Sequence, residues 1–544
     1  MKLTRRELMR RLGGSAVVLA LVGGTKLILI AEDRRQAPGG APNDKSAGSP
    51  IGADTTTTPP STVLESTVAT TTSEVTEVTT LLIGSIGATT IPRGTSASIT
   101  GDLDLQGDLV VEGVLTGVDT FTLKGNGHQI EVRNGGRVDL RGVPKTGWTR
   151  DVAPSGWAPG DRVATAPNGK GLFGIDDFTI ETWHGAAVGN VQLVGGRNIG
   201  AEQFNLDRSI VIDDVSRIMF HDGAGQQVLK HLAVRNAGQV GELGFYPIHF
   251  HLNGDDSRGS LVEGVVVEGG RNHAFVPHGS HGITFIDCVA FDTTGEAFWY
   301  DPPPEARSEV NNSNDTMWNH CLAAYVSPSD DRGYRLAAFT LGAGSGNSCI
   351  DCTAVGVQGQ KDASGFMWPE AANDNPGGTV WTFEGCVSHN NRAQGIFTWQ
   401  NDGGLHPIED FVAYRNGDTG IDHGAYVNRY HYSDLTLSEN GSYSIQSHAL
   451  GRGDPIVFEN VMASEPLLIS KHVLEGSPVI YRNLSVPGVI LDEETDDGNI
   501  KSTQIFEDCG LTPSDFDLRT VAKGTVIEIR QGGLPAFRWS GTWE

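Results

Sequence analysis

From about residue 100 onward, apolar residues recur with period two in short runs, and Gly, Asn and Asp separate the runs. Ile99-Thr100-Gly101-Asp102-Leu103-Asp104-Leu105 and Asp108-Leu109-Val110-Val111-Glu112-Gly113 show the pattern, which predicts half-buried strands joined by tight turns. No amphipathic helical pattern of ten residues is found beyond the N-terminal segment. One unit recurs: Lys230-His231-Leu232-Ala233-Val234, Glu263-Gly264-Val265-Val266-Val267, Ile286-Asp287-Cys288-Val289-Ala290, and so on to Arg482-Asn483-Leu484-Ser485-Val486. Its central residues are 232, 265, 288, 321, 352, 386, 411, 435, 461 and 484, spaced 23 to 34 residues apart. Repetition at that period predicts a β-solenoid whose core lengthens turn by turn. Each unit reads as a polar turn residue, an inward apolar side chain and then an outward one.

A second strand follows in each turn, marked by a small residue before an apolar one, as in Ala274-Phe275, Ala297-Phe298 and Gly395-Ile396. Parallel strands with short crossovers coil right-handed. The expected fold is therefore all-β, a right-handed parallel β-helix of the pectin-lyase type over residues 171–510, with a C-terminal β cap over 511–544.

Four of the six cysteines, Cys288, Cys321, Cys352 and Cys386, fall on the repeat. As small apolar fillers in stacked strands they need no redox or metal role. Cys349 and Cys352 form a C-x-x-C, but residues three apart in a strand are expected on opposite faces.

The N-terminus changes the picture of where the chain works. Thr4-Arg5-Arg6-Glu7-Leu8-Met9-Arg10 precedes an apolar run from Ser15 to Ile30, so residues 1–30 read as a twin-arginine signal or anchor. Any membrane contact is expected through this segment alone. Residues 31–80 are rich in Thr, Ser and Pro and read as a linker. The formal charge is −26; residues 1–35 hold eight Lys/Arg against three Asp/Glu, a net of +5, so the rest carries −31 by difference. Such an acidic body excludes nucleic acid as a partner. It also repels a polyanionic glycan unless local cations intervene.

Reactive side chains are densest between residues 245 and 305. In a strand His249 and His251 point the same way. Stacking the turns by the repeat puts His251, His278 and Asp301 in one outward column, with Trp299 over Val276 and His249. Imidazoles, a carboxylate and an aromatic face suit work on a sugar chain. His249, His251, His278, Glu296 and Asp301 are the catalytic candidates; Arg271, Trp299, Asp255 and Glu305 are candidates for holding substrate. His249-x-His251 also suits a divalent cation, calcium or a transition metal. Trp368, Trp381 and Trp399 either line a sugar groove or cap the core.

Three segments carry a resemblance. Gly142-Val143-Pro144-Lys145-Thr146-Gly147-Trp148-Thr149-Arg150, with Trp157-Ala158-Pro159-Gly160-Asp161-Arg162-Val163, looks like the end of a G8 domain. Ala201-Glu202-Gln203-Phe204-Asn205-Leu206-Asp207-Arg208-Ser209-Ile210 is similar to the family's approach to its helix. Asn236-Ala237-Gly238-Gln239 through Gly244-Phe245-Tyr246-Pro247-Ile248-His249-Phe250-His251 is similar to its most specific signature. The chain thus resembles the G8-domain parallel β-helix family that includes cell migration-inducing hyaluronidase, over roughly residues 85–310. The resemblance implies a G8-like β domain at residues 81–170 and an extracellular polysaccharide partner of the hyaluronan class. It also implies a hyaluronidase-like endo-glycan hydrolase; the linker, the acidity and a departure from the family pattern favour the alternative, an envelope-tethered glycan-binding protein without catalysis. One departure bears on that choice. Where the family tends to read G-H-x-F-F-x-E-D, this chain has Gly295-Glu296-Ala297-Phe298-Trp299-Tyr300-Asp301.

Overall fold

The computed structural model describes residues 79–150, 153–185, 190–300, 312–329, 336–342, 344–359, 363–368, 380–398, 405–424, 430–448, 455–470, 478–493 and 503–544. Residues 1–30, and 31–80 up to residue 78, lie outside these, so the signal and most of the linker do too. Thr79 and Thr80, expected in the linker, already belong to the first strand, Thr79–Ile86. No helix among the described residues is long and apolar enough to cross a membrane.

Each turn of the coil contributes three short strands, as in Ile248–Gly254, Leu261–Glu263 and Val266–Glu268. Strands of successive turns pair in parallel: Ile248 with Phe275, Leu261 with Thr284, Val266 with Val289. The chain is a parallel β-helix with three sheet faces. The first face is a continuous 15-stranded sheet, and the other two faces merge into one 26-stranded sheet.

The polar turn residue of the repeat is the bend between the second and third faces. His231, Gly264, Asp287, His320, Asp351, Gly385, Asp410, Asp434, Asn460 and Asn483 occupy it with φ between +46° and +66°. Left-handed backbone costs most residues 1–2 kcal/mol, and Gly, Asn and Asp bear it best. The repeated Asp, Asn and Gly of the sequence therefore mark corners, not ligands. After each bend the next side chain turns inward: Leu232, Val265, Cys288, Cys321, Cys352, Cys386 and Phe411 are all in the core.

The bend also corrects the expectation for C-x-x-C. Cys349 and Cys352 both point inward, at 0% exposure, because Asp351 between them adopts φ +51° and resets the alternation. All six cysteines are free thiols, and the Sγ atoms of Cys349 and Cys386 sit 3.8 Å apart without a bond. Trp368 and Trp381 are fully buried core residues; Trp399 lies outside the described residues.

The segment expected as a separate β domain at 81–170 is largely the start of the coil itself. Phe121–Lys124 pairs with Ile210–Asp213, and Ile130–Val132 with Ile218–Phe220. Between Gly142 and Ile210 the chain makes an excursion, and the boundary expected at residue 170 falls inside it. Its strands Trp148–Thr149, Arg162–Thr165, Thr179–Thr182 and Gln203–Asn205 form a small antiparallel sheet. Phe178, Phe204 and Leu206 of this excursion pack on Val266, Val289 and Leu322, the outward residues of the third face. Glu202, from the second family-like segment, is fully buried there and pairs with Arg150 at 2.7 Å and His389 at 3.0 Å. That motif is a docking device. It covers the third face, whereas the strands of His249, His251 and His278 belong to the first.

Candidate functional site

Inward aromatics set the register of the first face. Phe220 and Phe250 lie 4.6 Å apart, Phe275 and Phe298 stack at 4.8 Å, and Phe298 and Phe339 at 4.5 Å. Alternation then turns the intervening residues outward. Met219, His249 and Val276 are successive Cα partners, as are His251 and His278.

Three imidazoles meet on this outer surface. Nitrogen atoms of His249, His251 and His278 all lie within 4.8 Å of one another. The His251 and His278 Nδ1 atoms are 3.2 Å apart, so only one of that pair can carry the hydrogen between them. The His249 ring lies parallel to that of His278 at 6.1 Å and across that of His251 at 4.9 Å. His249 is 1% exposed, and the other two are half-buried. Its Nδ1 lies 3.3 Å from the Gly244 carbonyl. A carbonyl only accepts, so Nδ1 carries the hydrogen and Nε2 keeps its lone pair. That Nε2 is buried with no hydrogen-bond partner. Burial holds the His249 pKa well below the ordinary value, helped by the other two imidazoles. Burial likewise lowers His251, and His221 adds to it. A lowered imidazole favours the neutral form at both His249 and His251, which suits proton transfer or metal ligation.

Two neighbours were missed by the sequence reading. His221 and Asp222 follow Phe220, the partner of Phe250, which places His221 beside His251 in the same outward column. The ring Nδ1 of His221 lies 3.1 Å from Asp222. The signal was present as one more turn of the same register, in Phe220-His221-Asp222. Beside them, Arg217 pairs with Glu131 at 2.7 Å and covers the Phe245 ring. The strand also breaks its pleat at the site: the register shifts after His251, and exposed Leu252 has φ +52°. Bulges re-aim side chains, and a leucine there is a strained residue held in place by its surroundings.

The other candidates are scattered. Glu296 is 4% exposed and meets buried His273 at 2.8 Å. Trp299 is 6% exposed and stacks on His273 at 3.7 Å, with Tyr246 and Val276 packed beside it. One of its ring faces is therefore occupied. Arg271 is exposed at the corner before the His278 strand and pairs with Asp214 at 3.1 Å. Asp255 is exposed beyond the bulge and pairs with Arg258 at 2.6 Å. Asp301 and Glu305 lie outside the described residues.

Residues 215–335 match the family model described as CEMIP beta-helix, a window that holds all three histidines. The human cell surface hyaluronidase CEMIP2 is 25% identical over 225 residues, covering 34% of this chain and 15% of that protein. Human fibrocystin-L is 32% identical over 174 residues, covering 31% of this chain and 3% of that protein. The chain thus spans a small part of the length of these relatives. Among solved structures, a tailspike from Pseudomonas phage phi297 aligns at 9% identity over 78% of this chain and 72% of that one. Its TM-score is 0.21, too low to bear on either fold or function.

Proposed function

We propose that this chain, a parallel β-helix with a CEMIP-like segment around three clustered histidines, is an exported polysaccharide-active protein. Its partner is an extracellular glycan of the hyaluronan class, and its reaction is endo-hydrolysis. The observation that carries the reading is the place of the histidine cluster inside the matched segment. The family match spans residues 215–335, and His249, His251 and His278, which meet within 4.8 Å, fall inside it.

Hydrolysis of a glycosidic bond needs an acid and a base or nucleophile on either side of it. In this reading Asp301, which lies outside the described residues, supplies the carboxylate, and His251 and His278 move protons. Arg271, and Glu305 outside the described residues, hold the polymer. A lyase, which needs a base and a cation clamp beside a uronate, is the less favoured chemistry.

A second reading, binding without cleavage, has its own support. Glu296, the residue standing where the family tends to carry His, is buried against His273. It is therefore withdrawn from the surface a polymer would touch.

Incubation of the full chain with hyaluronan, chondroitin and a neutral glucan, followed by sizing electrophoresis, tests both readings. Shortening with new reducing ends supports the hydrolase. Retardation of intact hyaluronan supports the binder, and no effect on any polymer removes both.

A further inference from the structure

We propose that His249, His251 and His278 form a three-nitrogen site for a divalent transition cation, with one coordination position left open toward the outside of the coil. Three features converge. The first is spacing: two ligands on a tetrahedral ion, each about 2.0–2.1 Å from it, are about 3.3–3.4 Å apart. The facing Nδ1 atoms of His251 and His278 are 3.2 Å apart, and the three donor atoms lie within 4.8 Å of one another, so the third nitrogen has to close in by about 1.5 Å at most.

The second is tautomer. His249 Nδ1 donates to the Gly244 carbonyl, the outer contact that typically orients a ligating imidazole. The opposite nitrogen, Nε2, is buried and unpartnered. A buried polar atom without a partner costs about 1–3 kcal/mol, and a bound ion would recover it.

The third is donor chemistry. The set is imidazole alone, which suits zinc, cobalt or nickel. Calcium takes six to eight oxygens, so the calcium expected as an alternative from sequence does not suit this cluster.

Three protein ligands leave a tetrahedral ion one position for water or an anionic oxygen. With neutral imidazoles the site adds two positive charges to a chain whose residues beyond 35 carry a net −31. That would give a carboxylate-bearing sugar chain a local counter-charge, a consequence that rests on the glycan reading, whereas the metal site does not.

The test uses untagged full-length chain, stripped with chelator and dialysed against zinc, with bound metal counted and cobalt(II) absorption read for tetrahedral geometry. One zinc per chain is expected, with a zinc-dependent rise in melting temperature. Both should fall about tenfold or more in affinity in His251→Ala and His278→Ala. They should persist in His431→Ala, a histidine on another face. His278→Gln, which keeps a polar side chain in the strand, guards against loss through misfolding. Zinc bound equally by these variants, no stoichiometric zinc, or displacement of zinc by excess calcium overturns the proposal. Zinc bound without polymer shortening leaves it standing and removes only the hydrolase reading.

Discussion

His273 and Glu296 face each other from successive turns, Nδ1 to Oε2 at 2.8 Å, both nearly closed to water, with Trp299 stacked over the histidine at 3.7 Å. The carboxylate is thus tied down behind the surface on which the three other imidazoles meet. Removing the buried carboxylate side chain deletes its bond to His273 and leaves a cavity, a cost of about 2–5 kcal/mol. Glu296→Ala should lose stability of that order in denaturant unfolding, and Glu296→Gln, which keeps the shape, about 1–3 kcal/mol. Glycan activity per folded molecule should stay within about threefold of the parent. A much larger loss in the folded Gln variant would show that Glu296 takes part in the chemistry.

Acid should unfold the coil through its buried histidines. Burial pushes His406 and His423 down to about 3, whereas both regain an ordinary value near 6.5 when unfolded. Below pH 6.5 the unfolded chain therefore binds protons that the folded chain refuses, and stability falls as pH falls. The slope is about 1.4 kcal/mol per pH unit for each histidine, down to about pH 3. Guanidinium midpoints at pH 7 and pH 5 should differ in that direction. His406→Phe, which keeps a ring against Tyr430, should remove about half of that contribution. Stability that rises on acidification over this window would contradict the assignment.

The cysteines should behave as packing. Five of the six are fully buried and none is bonded. A thiol reagent should reach at most Cys509 in the native protein and all six after unfolding. Reductant should leave the melting temperature unchanged; a fall on reduction would mean a disulfide that the structure lacks.

The corner positions carry their own prediction. Asn483 sits at φ +49° and donates to the Asn460 side chain at 3.0 Å. Asn483→Ala loses that bond and places a less suitable residue in left-handed backbone, a cost of about 1–3 kcal/mol. Asn483→Gly should cost less, since glycine accepts the conformation. Equal losses in thermal unfolding would show that backbone conformation does not decide residue choice there.

The coil was legible because its period is written in residues that obey simple rules. Asp287, Asp351 and Asn460 announce the bends, and Cys288, Cys321 and Cys352 the inward position that follows. The pairing of His251 with His278 followed from the same stacking. Less legible was the excursion between Gly142 and Ile210, because its strands pair antiparallel with one another while its apolar side chains are matched to residues such as Val266 and Leu322 far along the sequence. The burial of Trp299 and Glu296 was hidden too. Alternation says which way a side chain points, not whether His273 or Tyr246 already occupies the space.

The central claim is that the outer face carrying His249, His251 and His278 works on a polysaccharide. The most direct test is hyaluronan length after incubation with the full chain, compared with His251→Ala and with Arg197→Ala on the far excursion. The account predicts shortening by the parent and by Arg197→Ala, and intact polymer with His251→Ala. Equal shortening by all three would place the chemistry elsewhere on the molecule.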